Sequence, residues 1–147
     1  MILEVSSIGR MDWSTKMSLN GTLHHVEINV SDLEKSRSFY EWFLTEMGYV
    51  AYQNWPKGFS YRKEQTYLVF VQTEPKHLQH SFHRSATGLN HVAFHCDQAL
   101  IRKIALHLKE KGIPLLYPDQ YPYPNKEETT AIFFEDPDRI KIECASY

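Results

Sequence analysis

The chain has 147 residues, of which 42% are hydrophobic and 23% charged, with a formal net charge of −2. This length and composition predict one globular domain with a sizeable core and exclude a disordered chain. The charge gives no basic face for nucleic acid or an anionic membrane, so we expect neither as a partner. Two cysteines, Cys96 and Cys144, are too few for a disulfide framework, and both lie in apolar runs typical of buried free thiols.

The sequence also bears on location. No apolar stretch is long enough to span a bilayer, and the first residues lack the basic-then-apolar pattern of a secretory signal. We therefore expect a cytoplasmic protein. Residues 1–20 show no hydrophobic periodicity and are predicted to form a disordered or loose arm, with Met11 and Met17 as alternative start positions.

The first half of the remaining chain begins with an alternating segment, residues 23–30, that predicts a strand. Residues 31–34 (Ser-Asp-Leu-Glu) form a capping box, and the apolar positions from Phe39 to Met47 share one face of a helix that ends at Gly48. Three short strands follow, with a turn at residues 54–58 between the first two: residues 49–52, 59–62 and 66–72. A polar segment, residues 73–87, is predicted to be a linker whose three histidines, His77, His80 and His83, are solvated.

The second half repeats this order. Residues 89–96 align with the first strand when His91 is placed on His25. Asp97 caps a second amphipathic helix, which Gly112 and Pro114 end. Three strands follow: residues 113–117, 129–134 and 140–145. Both halves are therefore predicted as βαβββ modules, about 22–72 and 88–147, in one domain (residues 21–147) of the α+β class with a cup-shaped mixed sheet.

Alternation along the strands predicts which side chains line the concave face of this cup. His25, Glu27 and Asn29 share the polar face of the first strand, His91 and His95 that of the second module's first strand, and Glu143 that of the last strand. His24 is expected on the opposite face, structural or exposed. Burying a face with two histidines and a carboxylate costs free energy unless these side chains are hydrated, ion-paired or bound to a metal. The set His25, His91 and Glu143 suits Fe, Mn, Zn, Ni or Co, with positions left open for substrate.

These motifs together resemble the vicinal oxygen chelate superfamily, which includes glyoxalase I, extradiol dioxygenases, fosfomycin-resistance proteins and bleomycin-binding proteins. The resemblance rests on His25-Val26, the first helix, Asn90-His91-Val92, and the ending from Phe134-Glu135-Asp136-Pro137-Asp138 to Glu143, although Arg139 stands where glycine is common. It implies one divalent metal on His25, His91 and Glu143. The fourth family ligand falls at Val69 or Phe70, which bind no metal, so the set is closer to that of dioxygenases and fosfomycin-modifying enzymes than to glyoxalase I.

The resemblance also leaves alternatives open. The chain is expected to be a metal-dependent lyase or isomerase, dioxygenase or thiol transferase acting on a small oxygen-rich molecule, or else a binding protein without chemistry. Glu27 and His95 are the candidate general bases, and His95 is an alternative fourth ligand. Asn29 and Trp55, with Tyr121 and Tyr123 of an aromatic- and proline-rich loop, are candidate cavity residues. A homodimer is expected, and pairing of the modules within or between chains is left undecided.

Overall fold

A computed structural model of the chain describes residues 18–120 and 131–147. The first module contains strand β1 (His25–Val30), helix α1 (Leu33–Glu46) and strands β2 (Val50–Trp55), β3 (Gly58–Lys63) and β4 (Thr66–Gln72). The sheet order is β1-β4-β3-β2, with β1 parallel to β4 and the other pairs antiparallel. The predicted βαβββ order of this module is confirmed, with β2 longer than expected and the turn confined to Pro56 and Lys57.

The second module follows a short 3₁₀ turn, Pro75–His77, and the linker. It contains β5 (His91–His95), α2 (Gln98–Glu110), β6 (Ala131–Glu135) and β7 (Lys141–Ala145), with sheet order β5-β7-β6. The strand predicted at residues 113–117 is wrong in extent, because the structure has one bridge there, from Leu116 to Phe133. Pro114 lacks a backbone donor and Tyr117 has φ +53°, so the extended pairing cannot continue on either side. Residues 1–17 of the predicted arm, and residues 129 and 130 of the predicted next strand, lie outside the described residues.

Helices α1 and α2 each have an aspartate as the N-cap residue. Asp97 caps α2 as predicted, its side chain accepting from the Leu100 amide at 2.7 Å. The capping box predicted with Ser31 is displaced by one residue, because Asp32 is the N-cap of α1 and accepts from the Lys35 amide at 3.1 Å. Ser31 instead binds the second module: its amide donates to Asp138 Oδ2 at 3.0 Å, and its hydroxyl donates to Asp138 Oδ1.

One apolar core joins the two modules. The Phe43 ring on α1 lies 5.4 Å from Phe94 on β5 and 5.3 Å from Phe134 on β6. Both cysteines are buried free thiols in this core, as predicted. The apolar faces of both sheets therefore pack towards the same helices, and the polar faces lie on the outside of this core. No helix in the described part of the chain is long and apolar enough to cross a membrane.

Candidate metal centre

The polar face of the second sheet brings two of the predicted ligands together. β5 and β7 are parallel neighbours, with Ala93 opposite Glu143 and His91 opposite Lys141. His91 Nε2 lies 3.0 Å from Glu143 Oε2, and the Glu143 residue is only 4% exposed. Alternation of β7 with the core residues Ile142 and Cys144 directs Glu143 to this face.

Two further side chains hold this pair. Asn90 Oδ1 lies 2.8 Å from His91 Nδ1, and Asn90 Nδ2 donates to the Arg84 carbonyl at 3.4 Å, which fixes the amide with its oxygen towards the ring. Tyr147 donates its hydroxyl to Glu143 Oε1 at 2.8 Å. This hydrogen bond and the negative charge of Glu143 raise the pKa of Tyr147. Sequence reasoning assigned Asn90 and Tyr147 no role at the site, and the only available signal was their nearness to predicted ligands in the chain.

The hydrogen bonds around His91 define what the pair can accept. Since His91 Nδ1 donates to Asn90, a neutral ring would present the Nε2 lone pair to the Glu143 carboxylate, and two acceptors at 3.0 Å repel. Either a second proton on Nε2 or a cation bound by both groups removes this conflict. In proteins, the histidine and carboxylate ligands of a metal are usually held by a further hydrogen bond to a neighbouring group. Here Asn90 holds the His91 ring through Nδ1, and the Tyr147 hydroxyl holds the Glu143 carboxylate. The residue types and their partners therefore fit a divalent cation.

The structure places His25 elsewhere. Its ring stacks on Tyr67 at a centroid distance of 4.8 Å, and its Nδ1 lies 2.8 Å from Nδ1 of His24. His24 precedes β1, so the alternation that was expected to place it on the opposite face does not apply to it. Across residues 18–120 and 131–147, no three His, Cys, Asp or Glu side chains converge as a metal site.

Two contacts explain this separation. Ser31, just beyond the end of β1, bonds to Asp138 beside the start of β7, so the far end of β1 approaches the second module. His25 begins β1, and at about 3.3 Å per residue it lies about 17 Å along the strand from Val30. Tyr40 on α1 donates to Asp136 Oδ2 at 2.7 Å and fixes the same orientation.

The sheet registers identify the position that matches Glu143 in the first module. Glu27 pairs with Val69 on β4 as Ala93 pairs with Glu143 on β7. Val69 is therefore the structural counterpart of Glu143, whereas Phe70 belongs to the core. The first module contributes no carboxylate at this position.

The remaining predicted site residues are spread over both modules. Glu27 and Asn29 are exposed on β1, near His25. His95 lies four residues from His91 on β5, about 13 Å along the strand, and does not touch the pair. Trp55 packs against Gly58, where a Cβ atom would come within 2.2 Å of the indole. Tyr121 and Tyr123 lie outside the described residues.

Comparison with known proteins agrees with this fold. Residues 22–144 match the model of the Glyoxalase/Bleomycin resistance protein/Dioxygenase superfamily. YqjT, an uncharacterized protein of Bacillus subtilis (strain 168), is 46% identical over 125 residues, which cover 84% of this chain and 98% of YqjT. The crystal structure of a "putative glyoxalase" from Bacillus halodurans has 47% identity and a TM-score of 0.84, covering 89% of this chain and 99% of that one.

A more distant structure shows how widely the fold is shared. Lactoylglutathione lyase from Agrobacterium tumefaciens has a TM-score of 0.59 at 16% identity, over 86% of this chain and 93% of that one. At this identity the likeness concerns the fold alone. With the family match spanning both modules, the resemblance found in the sequence is confirmed, and the chain belongs to the Glyoxalase/Bleomycin resistance protein/Dioxygenase superfamily.

Proposed function

We propose that this protein is a divalent-metal-dependent enzyme that binds a small oxygen-rich molecule by chelation. The proposal rests above all on His91 Nε2 and Glu143 Oε2. These two acceptor atoms lie 3.0 Å apart and repel each other unless a proton or a cation lies between them. His91 and Glu143 of one chain would hold the ion, with His25 of a second copy as the third ligand. In this proposal the protein is a cytoplasmic homodimer.

The need for a second copy follows from the orientation of the modules. The polar faces lie on the outside of the shared core, and the Ser31–Asp138 contact leaves His25 at the far end of β1 from the second module. His25 is exposed on its own sheet, and the nearby Leu23 is 69% exposed. Symmetric pairing of two chains would place each first module against the other chain's second module and form two equivalent sites.

Within such a site the chain's own residues have distinct tasks. His91, Glu143 and His25 bind, Asn90 holds the His91 ring, and the Tyr147 hydroxyl holds the Glu143 carboxylate. A bound divalent ion would supply Lewis-acid stabilisation of negative charge developing on substrate oxygens, or activation of dioxygen if it is iron. Glu27 is the better candidate general base, because it lies two residues from His25 on the same face and would accompany it, whereas His95 is about 13 Å from His91 along β5.

Lyase or isomerase chemistry, extradiol dioxygenation and thiol transfer are all compatible with this ligand set. The alternative is a protein that binds a drug or metabolite without chemistry. A protein that only binds a small molecule does not need two metal ligands that are each held in place by a hydrogen bond to a neighbouring side chain. We therefore favour the enzyme.

Metal analysis tests the proposal. Protein purified without a histidine tag should hold about one divalent ion per chain, and His91→Ala and Glu143→Ala should each lose it. His107→Ala is a suitable control, because His107 lies on α2 and pairs with Glu46 at 3.6 Å, remote from β5 and β7. If wild-type protein loaded with Fe, Mn, Zn, Ni or Co retains none of them, the enzyme proposal is refuted and the binding protein becomes the better account.

A further inference from the structure

A cavity of about 210 Å³ lies where the linker packs against the turn between β6 and β7, lined by Phe82, His83, Arg84, Ser85 and Arg139. We propose that this cavity binds an anionic group of the substrate, a carboxylate or a phosphate, while the substrate's chelating oxygens reach the metal centre. This inference rests on the proposed function and specifies its substrate class.

Two arginine side chains give the cavity the hydrogen-bond donors that an anion needs. Arg84 Nη1 lies 3.4 Å from Glu135 Oε2, and Arg139 Nε donates to the same oxygen at 3.1 Å. Two guanidinium groups share one carboxylate oxygen, which leaves most of their N–H donors without a protein acceptor in the described part of the chain. The Arg84 side chain is only 25% exposed, so water screens its charge less than that of Arg139, which is 72% exposed. Arginine side chains are well suited to hold planar or tetrahedral oxyanions.

The backbone of Arg139 gives an independent reason. Its φ is +66°, a left-handed conformation that glycine adopts without strain and a residue with a Cβ atom does not. An arginine at this position introduces backbone strain into a turn that otherwise needs only glycine. Such strain is commonly retained where the side chain has a task.

The cavity lies within reach of the metal centre. His91, Lys141 and Glu135 form one row across β5, β7 and β6. Adjacent strands are about 4.8 Å apart, so the Glu135 Cα atom is about 10 Å from that of His91. Asn90, which holds His91, also donates to the Arg84 carbonyl at 3.4 Å.

Lys141 adds positive charge to the middle of this row. Its amine lies 3.3 Å from the Tyr117 hydroxyl and 5.0 Å from the centroid of the Phe133 ring. No carboxylate within the described residues forms an ion pair with it. A small molecule with chelating oxygens at one end and an anionic group at the other would match this row from the metal centre to the cavity.

The first test uses metal-free, full-length protein titrated with inorganic phosphate and, separately, acetate, monitored by NMR of the arginine side chains. We expect one of these two anions, phosphate or acetate, to shift the NMR signals of Arg84 and Arg139. Its affinity should fall about tenfold or more in Arg84→Gln and Arg139→Gly, as for loss of a hydrogen bond to a charged group. Arg139→Gly also relieves the positive φ, so a lower affinity in this variant would not come from unfolding. Arg102→Gln, on the exposed side of α2, is the control and should bind like the wild type.

The second test uses zinc-loaded protein and two matched chelators, catechol and 3,4-dihydroxybenzoate, which differ by one carboxylate. We expect the carboxylate to strengthen binding about tenfold in the wild type and to give no advantage in Arg84→Gln or Arg139→Gly. Equal affinities in the wild type, or no response of either arginine to phosphate and acetate, would overturn the inference. Failure of zinc to bind would instead refute the metal proposal, and the titrations of the metal-free protein would still decide whether the cavity binds anions.

Discussion

The buried contact between Tyr40 and Asp136 fixes the orientation of the two modules, and Tyr40→Phe isolates its contribution. The Tyr40 hydroxyl donates to Asp136 Oδ2 at 2.7 Å, and the residues are 3% and 5% exposed. Phenylalanine keeps the ring that stacks on Phe70 at 4.0 Å, so the variant removes one hydrogen bond and no packing. A hydrogen bond to a charged group contributes about 1.5–3 kcal/mol, so we expect the free energy of unfolding to fall by about 2 kcal/mol at pH 8.

The loss of unfolding free energy caused by Tyr40→Phe should depend on pH. Burial raises the pKa of Asp136 to about 6, and the Tyr40 hydrogen bond opposes this rise by favouring the charged form. A carboxyl whose pKa is higher in the folded than in the unfolded state stabilises the fold at low pH, and this stabilisation is lost as pH rises from about 4 to about 6. Removing the hydroxyl raises the pKa of Asp136 further, so the loss caused by Tyr40→Phe should shrink to about 1 kcal/mol at pH 5, where the folded carboxyl is largely protonated.

Urea unfolding of the wild type and Tyr40→Phe at pH 5 and pH 8 measures both effects. Tyr61→Phe is the matched control, because Tyr61 is buried to a similar degree and its hydroxyl makes no hydrogen bond within the described part of the chain. A loss of the same size at both pH values, or a loss no larger than that of Tyr61→Phe, would refute the reasoning.

Two further predictions concern the proposed metal centre. Tyr147→Phe removes the hydroxyl that donates to Glu143 Oε1 and should weaken metal affinity about tenfold, as measured by competition with a chelator, whereas an unchanged affinity would mean that Tyr147 does not position Glu143. Val69→Glu places a carboxylate at the counterpart of Glu143, on a residue that is 4% exposed. The metal-free variant should unfold at lower urea than the wild type because of the buried charge, and added nickel or zinc should stabilise it more than the wild type. Equal stabilisation of both proteins by metal would contradict the structural match of Val69 with Glu143.

Much of the fold could be predicted from the sequence because it is determined locally. Alternation over a few residues identified β1, β4 and β5, and the apolar face of each helix identified the core. Asp136-Pro137-Asp138 marked the final hairpin, and alternation beyond it placed Glu143 on the polar face beside His91.

The sequence-based predictions failed where backbone conformation or contacts between distant residues determine the structure. Tyr117 at φ +53° ends the strand predicted at 113–117, and nothing in its residue type shows this. Ser31 satisfies the pattern of a capping box, yet it bonds to Asp138, which is 107 residues away in the chain. The same contact separates His25 from His91. A symmetric repeat is equally consistent with pairing within one chain or between two, so the sequence could not decide between them.

Mixing two inactivated variants tests the central claim, that His25 of one chain completes the metal centre of another. His25→Ala and Glu143→Ala would each bind no metal alone. When equal amounts of the two variants are unfolded and refolded together, about half of the dimers contain one chain of each variant. If the site is shared between chains, each mixed dimer has one intact site out of two. About a quarter of the wild-type metal content should then return. If each chain builds its own site, no mixture of the two variants regains any metal, and that result would contradict the account.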